Sequence, residues 1–570
     1  MAANIKYLVE KQKKLATLKS PWENPYQILG KYIYTKKQQF QVTVEPGAFL
    51  NDGMINDSTA VRANGAMASA VMGSLWKSGG KTFKIGRHEA ISDSKINNDY
   101  FKKANGQLAD AMESPKAGFE TSFHEEISEE GAFGTSAIAL FRGDYENPLS
   151  FKSWSIQNIS ISEGPDGYVD TVYYDEMVTI SNIVGRYGLD KLPGELLEKY
   201  ENVSTREDKV KVTVAIEPRP IEDREGVGVL GMPISSNHFL PEQNHPLRES
   251  GYAEMPVRVG RWYKLANEVY GRSPGMDALP AIMQINALKE SFLVGVEKKV
   301  DPPLWILDDG TLGAGTVDTS ARGLSVFNAM GRAGSQTPLG TIFDVGELNS
   351  CAQVIEQTKE EILQHFLIDK LYDLNNKTRM TLGEAEMRYG IRSDALSSLY
   401  ARYTAEILNP LITRSFNILF DMGLLGVRED DYAQQAVLIA NGIEPIILPP
   451  DIVEAIELGR PMYKIEYISP AARVMREEEM RGIISTVNNA LQLAPVVPEA
   501  MLKLNTDKVL QYSQELGGAP ADILFAEDVV AAKREAIRKA QEQQAQMQQA
   551  EMGSKALKNA AQAQQAGAAV

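Results

Sequence analysis

The side chains that could do chemistry in this 570-residue chain are few and scattered. Its five histidines, His88, His124, His238, His245 and His365, form no HExxH pair and no cluster at metal-ligand spacing. Cys351 is the sole cysteine, so neither a thiolate zinc site nor an intrachain disulfide can be built, and such usage fits a reducing compartment. His124 stands beside Glu125 and Glu126 and could join a ligand group; a solvated helix end is the plainer expectation. Gly79-Gly80-Lys81-Thr82 has the ending of a phosphate-binding loop. That loop also needs a glycine at position 75, where Leu75 stands, and a preceding strand, where the pattern is helical. It reads as a glycine stop after a helix. Neither a Gly-x-Ser-x-Gly elbow nor a dinucleotide fingerprint occurs. The run Glu477-Glu478-Glu479 reads as a solvated face. The expectation is a protein without catalytic residues, metal or cofactor.

Bulk properties narrow the partners. Seventy-five acidic against 59 basic residues give a formal net charge of −16, which argues against tight non-specific binding of nucleic acid. Loose contact stays open, because a like-charged surface lets a phosphate backbone slide. An apolar content of 43% with 24% charged residues describes a soluble globular chain with room for three or four domains. The opening MAANIKYLVEKQKK lacks an apolar core of signal-peptide length, and no run approaches the ~20 apolar residues of a membrane span.

The elements follow from period and punctuation. Residues 4–40 read as helix interrupted at Ser20-Pro21-Trp22-Glu23-Asn24-Pro25, with Lys11, Lys13, Lys14 and Lys19 on a solvated side. Helices are expected at 60–76 and 98–131. The period then changes to two, predicting strands at 136–141, 151–161 and 168–178, the last two joined by a turn at Glu163-Gly164-Pro165-Asp166-Gly167. A helix over 181–200, strands at 210–216 and 255–263, and between those strands a long loop holding Gly226, Gly228, Gly231, Pro233 and Pro241 complete the first half. Later, 382–422 and 471–540 read as helical, 443–469 as short strands and proline turns, and the Ala/Gln tail from 541 as low-complexity. The fold class is mixed α+β.

The centre of the chain organises the rest. A helix opens at Ser273-Pro274, shows the stripe Ile282, Ile285, Leu288, Phe292 and Val296, and must stop at Asp301-Pro302-Pro303. A second opens at Asp344, with Glu347 completing a capping box, and shows Leu348, Cys351, Ile355, Thr358, Ile362 and Phe366. Between them lies a glycine-rich excursion with two strand-like runs, 304–307 and 324–327.

Several stretches, in order over roughly residues 20–480, resemble the portal, or head-to-tail connector, proteins of short-tailed double-stranded DNA bacteriophages. They are PWENPYQILGKYIYT with INDSTAVRANGAMASAVMGSLW, then ISISEGPDGYVDTVYYDEMVTI, YGRSPGMDALPAIMQINALKE with VDPPLW, TRMTLGEAEMRYG and YKIEYISPAARVMREEEM. Residues 381–388 match the family pattern only loosely, so no residue role is transferred from them. The resemblance implies a portal fold assembled as a ring, usually of twelve subunits. Its parts would be a wing (1–272 and 382–470), stem helices (273–300 and 344–373), a clip (301–343), a tunnel loop (374–381), a helical crown (471–540) and a tail (541–570) that could extend it. It implies a channel through which DNA is packaged and ejected, with Lys298, Lys299, Lys377 and Arg379 as sparse cationic bands; an intersubunit salt bridge or a solvated side chain is the alternative for each. Implied partners are the terminase packaging motor, tail adaptors, scaffolding protein and major capsid protein, with no membrane. The implied location is the virion's portal vertex, after assembly in host cytoplasm. The rival readings are another virion component, such as an internal core or tail-tube protein, and a packaging ATPase or nuclease.

Overall fold

The computed structural model describes residues 2–35, 55–76, 82–89, 91–224, 228–308, 317–328, 339–342, 346–371, 398–467, 482–490 and 533–539, with a few single positions between the last two. In chain order the elements are α1 (Ala2–Tyr32), α2 (Thr59–Leu75), β1 (Phe83–Arg87), α3 (Lys95–Glu113), α4 (Phe119–Phe133), β2 (Thr135–Arg142), β3 (Leu149–Trp154), β4 (Ile159–Glu163), β5 (Val169–Thr179), α5 (Ile180–Tyr187), α6 (Gly194–Glu201) and β6 (Lys209–Pro218). Then come β7 (Ile234–Leu240), β8 (His245–Tyr252), β9 (Val257–Arg261), α7 (Pro274–Val300), β10 (Leu304–Asp308), β11 (Leu324–Asn328), β12 (Leu339–Thr341), α8 (Asn349–His365), α9 (Ile368–Leu371), α10 (Asn409–Asp421), α11 (Tyr432–Ala440), α12 (Pro450–Glu457) and β13 (Tyr463–Tyr467). A π-helical turn, Thr404–Leu408, leads directly into α10. The mixed α+β class expected from the alternating periods is what the chain forms.

One compact unit comprises Met1–Lys77 and Met112–Ser415. Its larger sheet is the antiparallel meander β4-β5-β6-β7-β8. The β4–β5 turn forms as its residues dictate: Gly167 takes φ 76° and donates its N–H to Gly164 O at 3.0 Å. α1 lies on this sheet because its apolar residues recur at helical spacing, with Ile5, Leu8, Val9 and Leu15 buried against Tyr173, Ala215 and Phe239. Gln12, on the same stripe, donates to Asp175 at 2.6 Å and to Thr213 Oγ1 at 2.8 Å. α5 and α6 cover a second cluster, where Ile180, Ile183 and Leu196 meet Val178, Val210, Val212, Leu240 and Leu247.

The smaller sheet, β3-β2-β9, is also antiparallel. β2 is buried on both faces, with Ala137, Ile138, Ala139 and Leu140 wholly inaccessible. α4 packs across β2 and β3, placing Phe119, Phe123, Ile127 and Phe133 in the core. Arg414 secures α10 here by donating to Leu140 O at 3.2 Å and Glu254 O at 3.0 Å.

The second unit comprises Ser78–Ala111 and Phe416–Val570. β1 and β13 pair antiparallel, Phe83 opposite Tyr467. Asn105 clamps β1 to α3, accepting from Ile85 N at 2.6 Å and donating to Ile85 O at 2.7 Å. Asp451, in the first turn of α12, accepts from Ser92 Oγ and, at 2.9 Å, from Asn97 Nδ2. Phe416 packs on Tyr463 with ring centroids 4.2 Å apart.

Several expectations need correction. α1 does not break: it runs through Pro21 and Pro25. An interior proline costs ~3 kcal/mol, and the burial of Tyr26, Leu29 and Ile33, each at most 1% exposed, offsets it. The expected helix over 98–131 is two, α3 and α4, and that over 181–200 is α5 and α6 around Gly188, whose φ is 94°. The strand expected over 151–161 is two strands, β3 and β4. The stretch between residues 216 and 255, read as a loop, holds both β7 and β8, hydrogen-bonded in the order β6-β7-β8; neither ISSNHFL nor HPLRESGY has the apolar alternation of a strand. Residues 443–469 contain the helix α12 besides β13. The fragments 482–490 and 533–539 are helical; apart from a few single positions, the rest of 471–540 lies outside the described residues, as do residues 382–397, the glycines 79 and 80, the Glu477–Glu479 run and the tail from 541.

Candidate functional site: the helix pair and its strand cap

α7 starts where the sequence places it. Ser273 Oγ accepts the Met276 N–H at 2.9 Å and donates to Ala132 O at 2.8 Å, fastening the helix to the end of α4. Ile282 and Ile285 of the expected stripe are buried, and Leu288, Phe292 and Val296 are half-buried. α7 packs along α8, whose Ile355, Thr358, Ile362 and Phe366 are buried and whose Cys351 is half-buried. α8 begins later than the capping-box pattern indicates: Leu348 is its N-cap and makes no side-chain bond, while Asp344 lies outside the described residues.

Two polar clamps fix the middle of α7. Asn286 Oδ1 accepts the N–H groups of Asn56 and Asp57 at 2.9 and 3.1 Å. Lys289 Nζ lies 2.8 Å from the Asp57 carboxylate, whose side chain is 2% exposed. Burial works to raise the Asp57 pKa, but Lys289 and the Thr59 N–H at 2.7 Å overcome it and hold the group below its usual range.

α7 ends at Val300, and Asp301 donates its N–H to Glu297 O at 2.8 Å. The chain then enters a three-stranded sheet, β11-β10-β12, with β10 parallel to β11 and antiparallel to β12. Arg322, at φ 63°, ties the start of β11 back to the helix end through Asp301 Oδ2 at 2.9 Å. Trp305 Nε1 donates to Thr341 O at 3.0 Å, and Gly340 passes so close that a β-carbon there would lie 2.7 Å from the indole.

Of the four candidate DNA-facing cations, Lys298 and Lys299 occupy the last turn of α7, where their charge complements the helix dipole. Lys298 is half-buried; Lys299 is exposed, with Nζ 3.3 Å from Gly346 O. Lys377, Arg379 and the whole 374–381 segment lie outside the described residues.

The structure also reveals a charged cluster that sequence reasoning missed. Glu126, expected on a solvated helix end, is fully buried in the middle of α4, as are Glu129 and Glu130. Ser136 Oγ donates to Glu126 at 2.6 Å, and Ile156 N donates to Glu129 at 3.2 Å. Arg261 of β9, also buried, holds Glu163 through Nη1 and Glu406 through Nη2 at 3.0 Å. Burial pushes the carboxyls of Glu126 and Glu130 upward, and the Glu406 carboxylate adds to both rises, while hydrogen bonds from Ser136 and Glu130 at Glu126, and from Tyr403 at Glu130, work against them. A sequence signal existed: 119, 123, 126, 127, 130 and 133 form one helical stripe, and two glutamates sit inside it. The remaining histidines are dispersed. His124 lies 3.2 Å from Ser69 Oγ, His238 pairs with Tyr187, and His245 is near Lys191 O. Among the described residues no group of three or more His, Cys, Asp or Glu could hold a metal ion, and no helix is long and apolar enough to cross a membrane.

The chain is similar to named proteins. It is 24% identical over 550 residues to the probable portal protein of Bordetella phage BPP-1, covering 95% of this chain and 92% of that one. It is 26% identical over 422 residues to the portal protein of Salmonella phage epsilon15, covering 73% of this chain and 70% of that one. Among solved structures, a chain of the virion of a native gene transfer agent particle aligns over 71% of this chain and 91% of its own, at 14% identity and a TM-score of 0.29. The family model described as bacteriophage head to tail connecting protein matches residues 6–438. With a match of that extent, the chain belongs to the bacteriophage head to tail connecting protein family.

Proposed function

We propose that this protein is the portal of a bacteriophage virion, a ring of twelve copies at one capsid vertex through which double-stranded DNA is packaged and ejected. The observation that carries the reading is the family match over residues 6–438, and both named relatives are portal proteins. The helix pair with its strand cap supports it in detail. α7 and α8 serve as the stem and residues 301–343 as the clip, with 374–381 as a tunnel loop reaching into the channel. Toward its C-terminal end α7 leaves Leu293, Val294 and Val300 exposed, apolar area that a neighbouring stem covers in a closed ring. The wing, crown and tail keep the bounds given above.

The mechanism is geometric and electrostatic, without catalysis. A subunit of net charge −16 lines a channel that does not grip DNA, while Lys298, Lys299, Lys377 and Arg379, repeated around the ring, form weak bands of positive charge. The work of packaging comes from a separate ATPase, the terminase motor, docked on the ring, with tail adaptors taking its place afterwards. Scaffolding and major capsid proteins surround the assembly.

Negative-stain imaging of purified protein tests the architecture: a wide ring with a narrow stem is expected, and a rod, a fibre or a persistent monomer overturns it. Replacing Lys377 and Arg379 together by glutamine is expected to impair packaging or DNA retention while rings still form. Unchanged packaging would count against a loop–DNA contact.

A further inference from the structure

The buried carboxyls of α4 have no part in guiding DNA, yet their geometry is specific. Glu126 and Glu130 stand one helical turn apart on the same face. Both close on the α-carbon of Gly260 in β9: a β-carbon there would meet Glu126 Oε1 at 2.6 Å and Glu130 Oε2 at 3.0 Å. Any side chain at 260 would fill the space the two carboxyls share. The Ile407 methyl, 2.5 Å from the same point, closes it from the π-helical turn.

The surrounding charges do not neutralise the pair. From β9, Arg261 is engaged by Glu163 and Glu406, and Lys264 also sits on Glu163 at 2.6 Å. From the 398–408 segment come Arg402, the neutral Tyr403, whose hydroxyl hydrogen-bonds the Glu130 carboxyl, and Glu406, so one further acid and one cation face the pair. β2 offers the Ser136 hydroxyl. α2 faces α4 with the neutral Asn64, whose amide is spent on Ser128 O at 3.0 Å. Two full negative charges here, both buried and with one guanidinium nearby, would be strongly repelled.

We propose that Glu126 and Glu130 form a protonated acid pair that latches α4 onto β9 and the π-helical turn 404–408, and that loss of these protons opens this joint. Both carboxyls are neutral, or share one charge, in the closed state. Raising the pH removes the protons and sets like charges against Glu406, which pushes α4 away from the turn. π-helical turns are frequent at segments with a functional task, and this one lies in the stretch that the latch would set free.

Infrared spectroscopy of the full-length protein in D2O tests the protons directly. The carbonyl stretch of a protonated carboxyl should be present at neutral pH, disappear on alkaline titration, and be lost in Glu126→Gln/Glu130→Gln. The wild-type titration needs no variant, so it stands even if the double substitution fails to fold. Hydrogen exchange tests the latch: protection of α4 and of 404–408 should fall about tenfold or more on going alkaline in the wild type, and hold in the double glutamine form. Absence of that carbonyl band at neutral pH overturns the acid pair. An equal loss of protection in both proteins overturns its role as a latch.

Discussion

At the scale of single residues, buried polar groups account for the features that side-chain type alone misjudges. Lys19 was expected on a solvated face with Lys11, Lys13 and Lys14. Lys13 and Lys14 are indeed exposed, and Lys11 pairs with Glu217 at 2.6 Å. Lys19, 5% exposed, instead donates to the carbonyls of Ile156, Gln157 and Ile159 at 2.7, 2.9 and 2.8 Å. Three donors meet three acceptors, and α1 is pinned to the β3–β4 connection. Lys19→Met should therefore destabilise the protein by ~3 kcal/mol, because three buried acceptors lose their partner at once; thermal melting of purified protein checks this, and an unchanged melting point would refute it. His238 behaves in the opposite sense. Burial first, then Arg248 and Arg186, depress its pKa from 6.5 to about 4, and its Nδ1 lies in hydrogen-bond contact with the Tyr187 hydroxyl at 2.8 Å. Between pH 6.5 and about 4 the unfolded chain binds the proton and the folded chain does not, so stability falls as pH falls through that window. The loss is at most ~3 kcal/mol. Unfolding measured across this range should show a shallower acid loss for His238→Gln than for wild type.

At the scale of elements, α7 shows how local stereochemistry and distant contacts divide the work. Its bounds follow from Ser273-Pro274 and Asp301-Pro302-Pro303, where one end is capped and the other cannot continue. Its attachment depends on Asp57, more than two hundred residues away in sequence. Lys289→Met should cost ~2–3 kcal/mol by leaving a buried carboxylate without its cation. Asp57→Asn in the same chain should restore most of that loss, so the double-substitution cycle reads the pair itself. Because Asp57 is held below its usual range, the pair's contribution is present at neutral pH and fades as pH falls through the lowered pKa. In Lys289→Met that acid dependence should shrink to what the Thr59 contacts supply, and an undiminished dependence would show that Lys289 does not hold the carboxylate.

For the whole molecule, the net charge of −16 sets a cost on bringing copies together. The Debye length shrinks from ~30 Å at 0.01 M salt to ~8 Å at 0.15 M, so added salt should favour rings over subunits. Sedimentation velocity across salt concentrations checks this. A ring fraction that declines with salt would mean that attraction between opposite charges at the contacts outweighs the general repulsion.

The sequence by itself determined what neighbouring residues can decide: the start and stop of α7, the Glu163–Gly167 turn, the apolar stripes of α7 and α8 on their buried or half-buried side, and the two strands β10 and β11. Each depends on a dihedral restriction or a periodicity confined to a few residues. The tertiary structure alone decided that α1 runs straight through two prolines, that ISSNHFL is a strand between β6 and β8, and that Glu126 and Lys19 lie inside. Those outcomes rest on partners distant along the chain, whose packing and hydrogen bonds outweigh local preference.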